Sequence, residues 1–104
     1  MPQLDKLIHE RARLLILTHL ASVEKSAAPF NELQEKLDLT AGNLSIQLKK
    51  LKTANYVKIK KTFKNNKPLT TVSITPQGMN ALNDYLGEME DLIRAIRNNE
   101  MDES

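Results

Sequence analysis

Between Leu4 and Leu20 the apolar residues Leu4, Leu7, Ile8, Leu14, Leu15, Leu17 and Leu20 recur mainly three and four positions apart, with no glycine or proline after Pro2. This spacing predicts a helix with a broad apolar face. It stops near Val23. The stretch Ser26-Ala27-Ala28-Pro29 has no period, and the residue before a proline avoids the helical region, so a loop is expected. Phe30 to Leu37 reads as a short second helix with Leu33 and Leu37 turned inward, Asn31 as N-cap, Gln34 as its capping-box partner and Glu32 at the positive dipole end. Asp38-Leu39 turns the chain. Thr40 then caps a third helix to about Ala54, and Asn55 stands where a left-handed C-terminal cap usually has glycine. Two helices joined this closely form a helix-turn-helix candidate.

At 100° per residue, Leu44, Leu48 and Leu51 fall within about 60° of one another and anchor the third helix. Gly42, Asn43, Ile46, Lys49, Lys50 and Thr53 occupy the opposite side, with Ser45 and Gln47 on the flanks. That outward face is polar, cationic and free of carboxylates. An exposed helix ordinarily carries glutamates to pair with its lysines, and their absence suits a surface facing phosphates.

After Asn55 the period changes to two. Val57 and Ile59 point one way and Lys58 and Lys60 the other; Lys64-Asn65-Asn66-Lys67-Pro68 makes a turn, and Thr71 to Ile74 alternate again. A β-hairpin with a basic tip is expected, Asn65-Asn66 supplying positive φ values. Thr75-Pro76 reads as an N-cap and first helical residue. The last helix, Pro76 to about Asn98, would be roughly 33 Å long. Its residues Met79, Leu82, Leu86, Met89, Ile93 and Ile96 form a heptad seam. A helix of that length overshoots its own core, so its distal half calls for a second apolar surface, most simply another copy of the chain. Residues 99–104 are acidic and polar, and a disordered tail is expected there.

The fold class that emerges is mainly α with a small β-hairpin (α+β), one domain over residues 1–98, in a chain of 104 residues. The chain contains no cysteine, which excludes disulfides, thiol catalysis and thiolate zinc sites and fits a reducing cytoplasm. No apolar run approaches the roughly 20 residues of a membrane span. A soluble cytoplasmic protein is expected. The formal net charge is only +2, but residues 39–75 hold eight lysines and no Asp or Glu. Residues 1–38 carry five Lys or Arg against six Asp or Glu, and residues 76–104 carry two against seven. The middle third is therefore the part suited to a polyanion.

The order helix, helix, turn, helix, basic hairpin, helix resembles the small single-domain winged-helix transcriptional regulators related to the MarR and ArsR families. The residues carrying the resemblance are Arg13-Leu14-Leu15-Ile16-Leu17, Phe30-Asn31-Glu32-Leu33, the run Gly42 to Leu51, Tyr56-Val57, Lys67 to Thr71, and Ile74-Thr75-Pro76-Gln77-Gly78 as a form of Leu-Thr-x-x-Gly. It implies a dimeric repressor or activator, with repression the expected sign, whose third helix enters the major groove while the wing lies along the backbone or minor groove. Asn55 replaces the family's usual glycine. Gln47 replaces a histidine often found there, so no base preference carries over.

The side-chain chemistry assigns roles to the candidate DNA-binding residues. Asn43, Ser45 and Gln47 have the reach and groups for base edges, Asn and Gln being able to match adenine in a bidentate way, and Ile46 suits a thymine methyl. For Gln47, packing beside Leu44 and Leu48 is an equal alternative. Lys49, Lys50, Lys58, Lys60, Lys64 and Lys67 suit phosphates. Thr40, Gly42, Asn65 and Asn66 complete the surface, the asparagine pair also shaping the turn. The expected dimer interface combines Leu4, Leu7 and Ile8 with Leu82, Leu86, Met89, Ile93 and Ile96. Expected partners are double-stranded DNA and a second copy of the chain; no catalytic, metal or cofactor site is expected, and no effector site is marked. His9 and His19, about 280° apart round a shared helix, give no common site, and no nucleotide loop or nucleophile motif is present. A winged helix used for protein or RNA binding is the other reading, disfavoured by the lysines concentrated on the recognition face.

Overall fold

The protein is described by a computed structural model comprising the backbone of residues 4–102 and the side chains of residues 4–99. Its first helix begins later than the leucine spacing predicts. Residues 4–10 form turns instead: Asp5 Oδ1 accepts the Leu7 N–H at 2.9 Å, and Glu10 caps α1 (Arg11–Ser22) by accepting from Ala12 and Arg13 N–H. Leu4 and Leu7 still pack on the core and Ile8 is fully enclosed in it, so the apolar spacing survives while the helix does not. His9 consequently lies outside α1. It contacts Tyr85, whereas His19 pairs with Glu32 at 2.9 Å.

Two residues with left-handed backbone, Lys25 and Ser26, turn the chain into a short strand β1 (Ala27–Pro29), where the sequence predicts a loop. β1 pairs antiparallel with β3 (Lys67–Ile74), Ala28 opposite Val72, and β3 pairs with β2 (Val57–Lys64), giving the order β1-β3-β2. The hairpin is thus two strands of a three-stranded sheet. Its turn is tighter than expected: only Asn65 and Asn66, both at positive φ, separate Lys64 from Lys67, and Pro68 pairs with Phe63. Positive φ at both central residues matches the right-handed twist of the strands.

Helix α2 (Phe30–Lys36) starts directly after Pro29, and no side chain caps it. Asn31 is already inside its first turn, so the capping box expected at Asn31 and Gln34 is not formed. The helix ends at Asp38, in left-handed conformation, with Leu39 N–H donating to the Gln34 carbonyl at 3.0 Å. Helix α3 (Ala41–Thr53) is capped by the Thr40 hydroxyl, which accepts from Asn43 N–H at 3.1 Å. It ends the same way: Asn55 is left-handed, Asn55 N–H donates to the Lys52 carbonyl and Tyr56 N–H to the Leu51 carbonyl, both at 2.9 Å. These crossed bonds close the helix and aim the chain into the wing.

Helix α4 (Pro76–Asp102) has 27 residues, about 40 Å at 1.5 Å per residue. Its backbone continues past the expected end at Asn98, so residues 99–102 of the anticipated tail are helical, and 103–104 lie outside the described residues. The core gathers Ile16, Leu17 and Leu20 from α1, Leu33 from α2, Leu44, Leu48 and Leu51 from α3, Val57, Val72 and Ile74 from the sheet, and Leu82 and Tyr85 from α4. The molecule measures 63 × 24 × 24 Å, the distal part of α4 supplying its length. No helix among the described residues is long and apolar enough to cross a membrane.

Candidate nucleic-acid interface

The three leucines that face inward from α3 fix the rotation of the helix. Leu44 and Leu51 are fully buried and Leu48 nearly so, and burying each side chain contributes on the order of 2 kcal/mol. With that face committed, Gly42, Asn43, Ser45, Ile46, Lys49, Lys50 and Thr53 are left in solvent, as is Thr40 at the cap. Ile46 is 56% exposed, an apolar side chain at the centre of a polar face. No carboxylate lies on this surface.

Gln47 is different. It is half-buried at the edge of the face, its Oε1 accepting from Arg13 Nη1 at 2.6 Å and its Nε2 donating to Asn43 Oδ1 at 3.0 Å. Arg13 is absent from the candidate residues that the sequence suggests, because its link to α3 spans 34 positions and depends on how α1 crosses α3.

The wing divides its lysines between two faces. Val57, Ile59, Lys61 and Phe63 share the core-facing side of β2, and an open groove between α3 and this side is lined by Ser45, Leu48, Lys49, Lys52, Ile59 and Lys61. Lys52 and Lys61 therefore join the basic surface, although the sequence reading leaves them out; the period of two that places Lys61 with Ile59 is the signal for it. Lys58 and Lys60 project from the other side of the sheet and are not brought together with α3. Lys64 and Lys67 face each other across the strands at the tip, beside Asn65 and Asn66. Phe63, next to them, is 77% exposed.

Thr75 locks the wing to α3. Its N–H donates to the Tyr56 carbonyl at 3.0 Å, its hydroxyl donates to the Asn55 carbonyl at 2.6 Å, and the same hydroxyl accepts from Gly78 N–H at 2.9 Å. The start of α4, the exit of the hairpin and the end of α3 thus meet in one buried side chain. The Tyr56 hydroxyl donates to Asp5 Oδ2 at 2.7 Å, tying the N-terminal turn to the same junction. Burial, and then the hydrogen bond and negative charge of Asp5, push the Tyr56 phenol up from 10.0 to about 12. Because the folded value is raised, the contribution to stability is complete below pH 10 and is lost as pH rises from 10 to about 12. Tyr56→Phe is expected to cost about 1 kcal/mol at neutral pH. Urea melts should show that deficit shrinking across the alkaline window; a deficit unchanged by pH would remove Asp5–Tyr56 as its source.

The expected dimer residues separate into two groups. Ile8 and Leu82 are enclosed in the core of their own chain, and Leu4, Leu7 and Met89 pack against it. Ile8 and Leu82 are corrected from interface to core, since the turn at residues 4–10 folds under α4 and leaves neither accessible. Leu86, Ile93 and Ile96 remain exposed, at 38%, 43% and 55%.

The family model for the winged helix DNA-binding domain matches residues 12–93, and the chain belongs to that family. An uncharacterised protein of Methanocaldococcus jannaschii is 36% identical over 91 residues, covering 88% of this chain and 97% of its own. The structure of a transcriptional regulator homologue from Pyrococcus horikoshii OT3 superposes with a TM-score of 0.77 at 30% identity, covering 86% of this chain and 87% of that one. A MarR-family transcriptional regulator from Streptomyces coelicolor, solved in complex with DNA, shares the fold with a TM-score of 0.73 at 16% identity, over 90% of this chain and 62% of that one. The protein is a small winged-helix DNA-binding protein of MarR-like fold, and its family is not one of enzymes.

Proposed function

We propose that the protein is a sequence-specific, double-stranded DNA-binding transcriptional regulator that acts as a homodimer on an inverted-repeat operator. Helix α3 enters the major groove, and the wing tip and groove lysines hold phosphates. The observation that carries this reading is the outward face of α3: Asn43, Ile46, Lys49 and Lys50 are exposed on a helix whose rotation the buried leucines fix. Phosphate contacts supply affinity and register, while the amides and Ile46 supply discrimination. Pairing through the exposed part of α4 would set two such faces one helical turn apart, with half-sites about 10 base pairs centre to centre. Occupation of DNA in this way excludes other proteins, so repression in the cytoplasm is the simplest mode of action.

Equilibrium titration of a selected duplex at several salt concentrations tests the proposal. If each subunit neutralises three or four phosphates, log K should fall against log salt with a slope on the order of −5 to −7 for the dimer. Lys50→Glu should weaken binding to all duplexes alike and flatten that slope. A response independent of salt, or equal affinity for duplex, single strand and RNA, would reject the operator reading in favour of a protein- or RNA-binding module.

A further inference from the structure

Arg13 lies on α1, outside both the recognition helix and the wing, and its side chain is only 11% exposed. Its Nε donates to the Leu7 carbonyl at 2.5 Å, and its Nη1 donates to Gln47 Oε1 at 2.6 Å. Glu10 Oε2, 3.6 Å from Nη1, provides the counter-charge. Gln47 Nε2 then donates to Asn43 Oδ1 at 3.0 Å. This chain of bonds can run in one direction only. A guanidinium carries donors and no acceptor, so the Gln47 atom facing it is the oxygen. The amide nitrogen thereby faces Asn43, which must return its own oxygen.

We infer that Arg13 is a positioning residue for sequence reading: it fixes the polarity of the Gln47–Asn43 pair, engaging the Gln47 oxygen with Arg13 and the Asn43 oxygen with Gln47 and leaving N–H groups for the DNA. The inference deepens the proposed function and rests on α3 being the reading helix. Its chemical content is a base preference. Adenine is matched by an amide that offers one donor and one acceptor together, whereas N7 and O6 of guanine are both acceptors. With both oxygens already engaged within the protein, the bidentate adenine match open to a free Asn or Gln is disfavoured. The pair selects guanine over adenine at the step beneath it.

Duplex selection from a random pool, followed by titration of the selected duplex and its guanine-to-adenine variant, reads this preference. The wild-type protein should favour guanine roughly tenfold, the discrimination of one good base contact. Arg13→Met keeps an unbranched stem but removes every donor, so either amide can turn over. The preference should fall to about twofold while affinity for unrelated duplex and its salt slope stay the same. A merely structural arginine would instead weaken all duplexes in proportion, leaving the preference intact. That result, or a wild-type preference for adenine, overturns the inference.

Gln47→Glu is the second variant, since loss of the Leu7 contact in Arg13→Met loosens the N-terminal turn. A carboxylate stays paired with Arg13 but has no N–H, so Asn43 must turn its amino group inward and its oxygen outward. Selection should move to adenine or cytosine, whose exocyclic amines donate. Selection of the same guanine by Gln47→Glu also overturns the inference. Absence of any duplex preference over single strand in the wild-type protein refutes the reading helix itself, a different outcome from either variant's.

Discussion

Gly78→Ala should destabilise the fold by roughly 3 kcal/mol, near the upper end for forced overpacking. A β-carbon at this position would stand 2.2 Å from the Tyr56 carbonyl oxygen, 2.9 Å from its carbon and 3.0 Å from Ile74 Cγ1. The first two belong to backbone, which has no rotamer to change. That oxygen also accepts the Thr75 N–H, so moving it breaks the junction between α3, the wing and α4. The requirement is space rather than conformation, because no glycine of the chain has positive φ. Gly87 supplies the contrast. Nothing lies within 4 Å of its added β-carbon, and alanine there should gain about 0.5–1 kcal/mol of helix stability. Urea melts of the two variants measure both effects; Gly78→Ala within about 0.5 kcal/mol of wild type would mean that the junction is looser than its geometry.

Leu86→Asp combined with Ile93→Asp should yield monomers in sedimentation. Both side chains are exposed in the single chain and sit outside its core, so folding should survive, with thermal melts that no longer depend on protein concentration. The larger effect is on DNA. Joining two reading heads makes the second contact intramolecular, and its loss should lower affinity for an inverted repeat by about 100-fold or more. Affinity for an isolated half-site should be unaltered. A variant that remains dimeric would place the subunit contact elsewhere than the exposed stretch of α4.

Much of this architecture is legible in local sequence because local chemistry decides it. Leu44, Leu48 and Leu51 orient α3 without reference to the rest of the chain, Thr40 and Thr75 cap the helices they precede, and Asn55, Asn65 and Asn66 occupy the left-handed positions their side chains tolerate. The differences arise where distant residues decide. Ala27–Pro29 has no strand pattern of its own and becomes one by pairing with residues more than 40 positions away. The spacing of Leu4, Leu7 and Ile8 satisfies the core equally well from a turn, and Asp5 and Glu10 bind the backbone N–H groups that a continuous helix would have used internally. Pro29, by opening α2 two residues early, takes the cap away from Asn31. In the interface, the outward set on α3 can be read from a helical wheel. The bond from Arg13 to Gln47, and the division of wing lysines into groove and outer faces, require the tertiary arrangement.

The opposed charges of the middle of the chain and of α4 bear on how quickly the protein finds its target. Residues 39–75 carry eight lysines unopposed, and the described side chains of α4 carry Asp84, Glu88, Glu90 and Asp91 against Arg94 and Arg97. In a molecule 63 Å long this separation is an electric dipole, and the field near a polyanion exerts a torque on it. Encounters are turned basic face first before contact, with the acidic helix trailing away from the duplex. Association should consequently be faster, and slow more steeply with added salt, than a net charge of +2 would produce.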